Sequence, residues 1–275
     1  MNKNRYSIYD ILKIYFIHVA MIAKANLFYK LNTFAIAFAV FAREIVNIVV
    51  IYLIFTRFVA LQGWSRDDLF FLYSFLFLSY SLVVFFFAGV RDFEDDIREG
   101  HCDRYLIRPL GVFFQVIACK SDYAASLGHG LIGVALFLYC AGSVGIVWNF
   151  STVIHAILFL FSGVLIQTSI FIFSAVLSFW TIRSSNIRNI IFFNARRYAG
   201  YPVSIYPEPI KVLIIYVIPF AFVNYFPAQY FLNREDGFMF SSVYLLLSPL
   251  VALLIASIAC VVWTMGLRNY SSVGN

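Results

Sequence analysis

Long apolar runs and short polar breaks alternate along the chain. Six stretches, at about residues 33–58, 69–90, 124–148, 152–180, 211–232 and 241–266, stay mostly apolar over the ~20 residues that a membrane-spanning helix needs. Their hydrophobic positions do not follow period two, so they predict helices rather than barrel strands. The third and fourth runs are separated only near Trp148-Asn149-Phe150-Ser151, which predicts a tight hairpin. Ahead of them, residues 6–30 carry a weaker pattern. Ile8, Ile11, Leu12, Tyr15, Val19 and Ile22 recur at helical spacing on one face, and Asp10, Lys13 and Lys24 fall opposite, with Ile14 and Ile17 toward the polar side. That pattern predicts a helix lying in the cytoplasmic membrane interface, the alternative being a short buried helix.

Composition agrees with the pattern. Of 275 residues, 62% are hydrophobic and 12% charged, with mean hydropathy +0.85; a soluble domain is nearer half apolar and a quarter charged. The fold class expected is an all-α integral membrane protein. MNKNRYSIYD is not expected to open a cleaved signal, because Lys13 and Lys24 interrupt the apolar run and no small-residue cleavage site follows. Cys102, Cys119, Cys140 and Cys260 are scattered, without a CxxC pair, so neither a metal nor a disulfide role is expected.

The distribution of Lys and Arg predicts orientation. One set of loops holds Lys3, Arg5, Lys13, Lys24, Lys30, Arg91, Arg98, Arg104, Arg108, Lys120, Arg183, Arg188, Arg196, Arg197, Lys211 and Arg268, sixteen in all; the other holds Arg57, Arg66 and Arg234. Both termini are therefore expected in the cytoplasm. The net charge of +6 is assigned to these loops, and no nucleic-acid partner is expected. The expected organisation is residues 1–30 as cytoplasmic N-terminus and interfacial helix, 31–268 as a six-helix transmembrane domain, and 269–275 as a cytoplasmic tail.

Motifs for covalent chemistry are missing. The sequence has no GxxxxGK[ST] phosphate loop, no HExxH and no GxSxG, and His18, His101, His129 and His155 are far apart. The chain is not expected to be an enzyme. If it pumps, another chain supplies the energy.

One cytoplasmic stretch is unusually dense in charge: REGHCDRYLIRPL, residues 98–110, preceded by RDFEDDI. Residues 91–99 predict about two and a half helical turns, with Phe93 and Ile97 on one face among Asp95, Asp96 and Arg98. Gly100 suits a left-handed helix end, Asp103 a cap for a short turn through Leu106, and Arg108 before Pro109 an extended exit. A small apolar face ringed by charge predicts a docking element for a cytoplasmic partner; the plain alternative is a solvated loop.

The pattern Ile97-x-x-Gly100-x-x-Asp103-x-x-Leu106-x-Arg108-Pro109-Leu110 resembles the cytoplasmic loop of six-span permease subunits of ABC-2-type transporters. Tyr201-Pro202-x-x-x-Tyr206-Pro207, Ile218-Pro219-Phe220-Ala221-Phe222 and Tyr225-Phe226-Pro227-Ala228 are similar to that family's segment around span 5, and Gly266-Leu267-Arg268-Asn269-Tyr270-Ser271-Ser272 to its ending. The order and spacing extend the resemblance over nearly the whole chain; Cys102 departs from the family's usual Leu. The resemblance implies a bacterial inner-membrane permease paired with a second permease, the same or homologous, and with an ABC ATPase that carries ATP and magnesium. It implies that residues 91–120 hold the coupling helix, with Phe93, Asp95, Asp96, Ile97, Arg98, Gly100, Asp103, Leu106, Arg108 and Pro109 as its residues. It also implies a bent or re-entrant outer segment at about 219–240, which Pro219 and Pro227 fit independently, since each removes a backbone donor. Export of a lipid-like, glycan, peptide or drug-like amphiphile is the family-level expectation.

Arg43 and Glu44 fall about 15 Å into the first span at ~1.5 Å per residue, where charge is expensive. Being adjacent, they point about 100° apart and are not expected to pair face to face; Asn47 lies on the side of Arg43. Either a structural role at a subunit seam or a place in the translocation path fits them, with Gln167 and His129 as weaker candidates for the path. Gly130, Gly133, Gly142 and Gly145 are expected at helix-packing positions. The rival functions are an energy-independent channel or secondary transporter, which would show repeats around broken helices, and a scaffold subunit without transport.

Overall fold

The computed structural model describes residues 7–181, 185–234 and 243–271. Expectations that fall on Lys3, Arg5, Arg183, residues 235–242 and residues 272–275 lie outside these. In chain order the helices are α1 (Ile8–Phe28), α2 (Lys30–Phe55), α3 (Arg66–Phe86), α4 (Ala88–Arg91), α5 (Phe93–Arg98), α6 (His101–Ile107), α7 (Val112–Cys119), α8 (Tyr123–Ser143) and α9 (Phe150–Thr181). A continuous helical path follows, from α10 (Ser185–Arg188) through a wide π-type stretch, Asn189–Asn194, to α11 (Ala195–Ala199). After it come α12 (Glu208–Val212), α13 (Tyr225–Leu232), α14 (Val243–Leu246) and α15 (Ser248–Arg268). Among the described residues there is no β-strand beyond one isolated bridge, Leu61 to Trp64.

Helix α3 is the centre of the bundle. In its apolar window 78% of residues are buried, against 11% for α2. It packs on α8 and α9, with α2 outside α8 and α15 outside α9. Close approach is set by small residues: a Cβ on Gly133 would press on Leu78 of α3, and one on Gly163 would press on Ser79. Gly142 has nothing near it and Gly145, at φ 73°, turns the chain after α8, so neither is a packing position. Ring layers fill the interior. Phe71, Phe75, Phe137, Phe159 and Phe231 occupy one end; Tyr80, Phe171 and Phe192 the middle; and Phe93, Phe179 and Trp263 the other.

Local sequence explains the ends. Ser65 and Asp68 form a reciprocal capping box on α3. Asp122 accepts from the Ala125 N–H and caps α8. Asn149 and Thr152 exchange hydrogen bonds at the start of α9, so the hairpin link runs from Val144 to Asn149, longer than the sequence predicts.

Helix α1 departs from expectation in its register. Its half-buried face is Ile11, Ile14, Tyr15, His18, Val19, Ile22, Ala23 and Asn26, so Ile14 lies inward and Leu12 outward. Neighbours α2, α7 and α8 fix this face, with Tyr123 Oη donating to the Val19 carbonyl at 2.7 Å. Asp10 instead accepts from the Ser7 N–H at the helix start. Among the described residues six helices are long and apolar enough to span a membrane, and α1 is one of them. The expected fifth span, 211–232, meets the test only as a pair of helical stretches bent by 69°. Pro219 makes that break: it has no N–H to donate and keeps Ile218 out of the helical region, at φ −125° and ψ 83°. Pro227 breaks nothing, because it sits in the first turn of α13, where a backbone donor has no helical partner.

Candidate functional site: a polar cavity and a cytoplasmic module

The charged loop after α3 folds into a compact module. Phe93 and Ile97 are 0% and 1% exposed. The Phe93 ring lies 5.4 Å from Phe179 on α9 and 4.8 Å from Trp263 on α15. The expectation that these two side chains reach a partner is therefore corrected: the amphipathic spacing is real, but their face packs on the protein's own helices. Asp96 is also inside. Its carboxylate accepts from Lys120 Nζ at 2.8 Å and Tyr105 Oη at 3.2 Å, with His101 Nδ1 at 3.5 Å. Asp95 and Arg98 pair at 2.8 Å on the half-exposed side. Gly100, at φ 71°, is the break between α5 and α6. Asp103 does not cap α6; its carboxylate accepts from Tyr270 Oη at 2.9 Å, tying the module to the chain's end. Arg108 is extended before Pro109.

What the module shows to solvent is the end of α6. Leu106 is 45% exposed and Ile107 79%, flanked by exposed Arg104, Arg108 and Pro109. Arg104 and Ile107 complete this ridge around the expected Leu106 and Arg108; the sequence signal for them is the apolar pair Leu106-Ile107 between two arginines. Below this ridge, Gln115 Nε2 donates to the Tyr105 and Leu110 carbonyls, which fixes α6 on α7. Burial pushes the Cys102 thiol up to about 12.

The second region lies in the middle of the bundle. Arg43, Glu44 and Asn47 of α2 meet, although adjacent positions diverge on a helix. The long Arg43 side chain folds back, and its Nη2 lies 3.0 Å from Glu44 Oε1; Asn47 Nδ2 donates to Glu44 Oε2 at 2.9 Å. His129 of α8 stands 3.6 Å from the same carboxylate. Glu44 is buried, whereas the Arg43 side chain is 62% exposed. Gln167 does not join them: it is buried between α9 and α3, donating to Ser79 Oγ at 2.7 Å.

A cavity of about 800 Å³ opens beside this group, lined by α2, by Tyr73, Leu76 and Phe77 of α3, and by Asn189, Phe193, Asn194, Arg196, Arg197 and Tyr201. The sequence places Arg196 and Arg197 in a cytoplasmic loop. In the structure Arg188 donates to the Arg91 carbonyl at one end of the α10–α11 path, and eight residues on the Arg196 guanidinium lies 4.1 Å over the Tyr80 ring. Gly200 then meets Tyr73. The path reaches the Tyr73, Phe77 and Tyr80 face of α3 and sets both arginines on the cavity wall, Arg196 half-buried and Arg197 exposed. Bulky Ile190–Phe193 just before them gave the available signal.

The sequence profile of one protein family, described as ABC-2 family transporter protein, matches residues 41–274. No match was found among curated proteins or among solved structures. With most of the chain matched and its described residues forming a bundle of long apolar helices, this protein belongs to the ABC-2 transporter family, as a multi-pass membrane permease component.

Proposed function

We propose that the chain is one permease of an ATP-driven exporter for an amphiphilic cargo, coupled to a separate ABC ATPase through the ridge of α6. The observation that carries this reading is the two-sided build of the cytoplasmic module. Its outer side offers Leu106 and Ile107 between Arg104 and Arg108, an apolar anchor with a polar rim. Its inner side wedges Phe93 between α9 and α15. Force applied to α6 would reach two bundle helices through a packed contact rather than a flexible loop. ATP and magnesium belong to the partner in this reading.

The mid-helix polar group supports a second permease. Arg43 sits near the middle of α2 with its side chain 62% exposed, on a helix whose outward residues Val46, Val49, Val50 and Leu53 are apolar. A guanidinium facing lipid at that depth is costly; a partner helix or a water-filled path removes the cost. The seam would then run along α2, with the cavity between the two copies. Both termini would lie in the cytoplasm of a bacterial plasma membrane, by the bias of the remaining basic residues. Helix α1 would lie along the cytoplasmic interface, its outward Tyr9, Phe16, Met21 and Phe28 in lipid headgroups.

The test is purification of the complex with its ATPase, followed by reconstitution and measurement of ATP hydrolysis. Co-isolation that depends on Ile107 supports the reading; an ATPase that binds only elsewhere, or none at all, refutes it. In intact cells, a cysteine introduced at Gln62 should label from outside and one at Asp95 should not.

A further inference from the structure

We propose that the cavity between α2, α3 and the α10–α11 path is a subsite for a phosphate-bearing headgroup, held by Arg196 and Arg197. This deepens the export reading and rests on it only for calling the ligand a cargo. The cavity contains three guanidiniums and one carboxylate. Glu44 is already engaged by Arg43 and Asn47. Among the described residues, Arg196 and Arg197 have no carboxylate at ion-pair distance. Two uncompensated cations at one cavity, Arg196 half-buried and Arg197 exposed at the mouth, suit a counter-anion.

The state of Arg196 specifies the chemistry. Its guanidinium rests on the Tyr80 and Phe77 rings, an arrangement that holds the plane but occupies none of its donors. Its Nε and Nη2 are buried and make no hydrogen bond. These two nitrogens form one edge of the guanidinium, the pair of parallel donors that grips two oxygens of an oxyanion. A buried donor edge left open is costly until a partner arrives. Because the edge is closed to bulk water here, an anion takes it by drawing the side chain off the rings toward Arg197, which is exposed at the mouth. Asn194 and Tyr201 supply further donors on the same wall. Leu76, Phe77 and Phe193 give the cavity an apolar side. On α2 the exposed apolar residues Val46, Val50 and Leu53 follow the cavity-lining Arg43 and Asn47 at helical spacing, which offers an attached acyl chain a surface.

The experiment uses the full chain in phosphatidylcholine nanodiscs doped with either dioleoyl phosphatidic acid or dioleoylglycerol, with inorganic phosphate as a soluble arm. Retained ligand is counted by native mass spectrometry. The wild type should retain phosphatidic acid over dioleoylglycerol by about tenfold or more, the scale of one charge-assisted bidentate contact. Arg196→Gln and Arg197→Gln should each remove most of that preference, and Arg196→Lys should keep only part of it. Arg197 is exposed, so Arg197→Gln keeps the test sound if Arg196→Gln fails to fold. Retention of phosphatidic acid without phosphate assigns the anion to a lipid; comparable binding of phosphate assigns it to a small solute. Both support the subsite. Equal retention of the two lipids by the wild type, or full preference in Arg197→Gln and Arg196→Gln, overturns it. Ile107→Asp leaves the cavity untouched and reads the transport proposal separately. A chain that selects phosphatidic acid but recruits no ATPase sinks the transport reading alone; one that recruits ATPase without lipid preference sinks only the subsite.

Discussion

Phe93 and Ile107 stand fourteen positions apart in one charged loop, and the structure assigns them opposite consequences. Phe93 is wholly buried against Phe179 and Trp263. Phe93→Ala removes a ring from a packed layer, which costs about 3–5 kcal/mol. For a protein of this size that is a fall in unfolding temperature of roughly 6–20 °C, at about 2–4 °C per kcal/mol. Ile107 is 79% exposed, so Ile107→Asp should change stability by no more than about 0.5 kcal/mol. At a docked interface the same change buries an unpaired charge and should weaken ATPase binding by about 2 kcal/mol or more, roughly 30-fold. The assay is thermal unfolding in detergent, followed by helicity, with ATPase co-purification measured on the same preparations. Phe93→Ala should unfold early and Ile107→Asp should lose the ATPase while unfolding normally. If Phe93→Ala unfolds like the wild type yet loses the ATPase, Phe93 faces the partner and the wedge argument is wrong. If Ile107→Asp unfolds as early as Phe93→Ala, the α6 ridge is not a free surface.

Contacts in the same region set three further outcomes. Gly89→Ala should destabilise by about 3 kcal/mol, at the upper end for overpacking, because a Cβ there would overlap the Val116 carbonyl, which is backbone and cannot turn aside; chemical denaturation in detergent measures it. Asp96→Ala should cost about 1–3 kcal/mol by leaving buried Tyr105 and the partly exposed Lys120 without their acceptor, and Asp96→Ala with Lys120→Met should recover part of the loss. Burial, with Asp103 and Asp96 adding to it, raises the Cys102 thiol to about 12, so the native protein holds almost no thiolate there at neutral pH and maleimide should modify Cys102 only on unfolding. A thiol with a raised folded pKa leaves stability unchanged below its unfolded value of ~8.5 and costs stability as pH climbs from there toward 12. A pH titration of unfolding temperature, compared with Cys102→Ser, reads that term.

Class and much of the layout can be read from the chain alone. Apolar runs of ~20 residues leave helices as the only way to satisfy the backbone in lipid, so α2, α3, α8, α9 and α15 were legible from composition and length. Gly100 and Arg108-Pro109 were legible too, because a left-handed break and a pre-proline extension are local properties. Packing supplied what local pattern cannot carry. Periodicity places Phe93 and Ile97 on one face but does not say whether that face meets a partner or the chain's own α9 and α15. The bend at Pro219 and the straight passage through Pro227 differ only in where each proline falls relative to a helix start. Most of all, Arg196 and Arg197 read as loop charges, since basic residues between apolar runs normally stay in water. They line the central cavity because the path that carries them turns back along the bundle, where Tyr80 and Phe77 of α3 provide ring faces for the Arg196 guanidinium, a pairing between residues more than a hundred positions apart that no local pattern records.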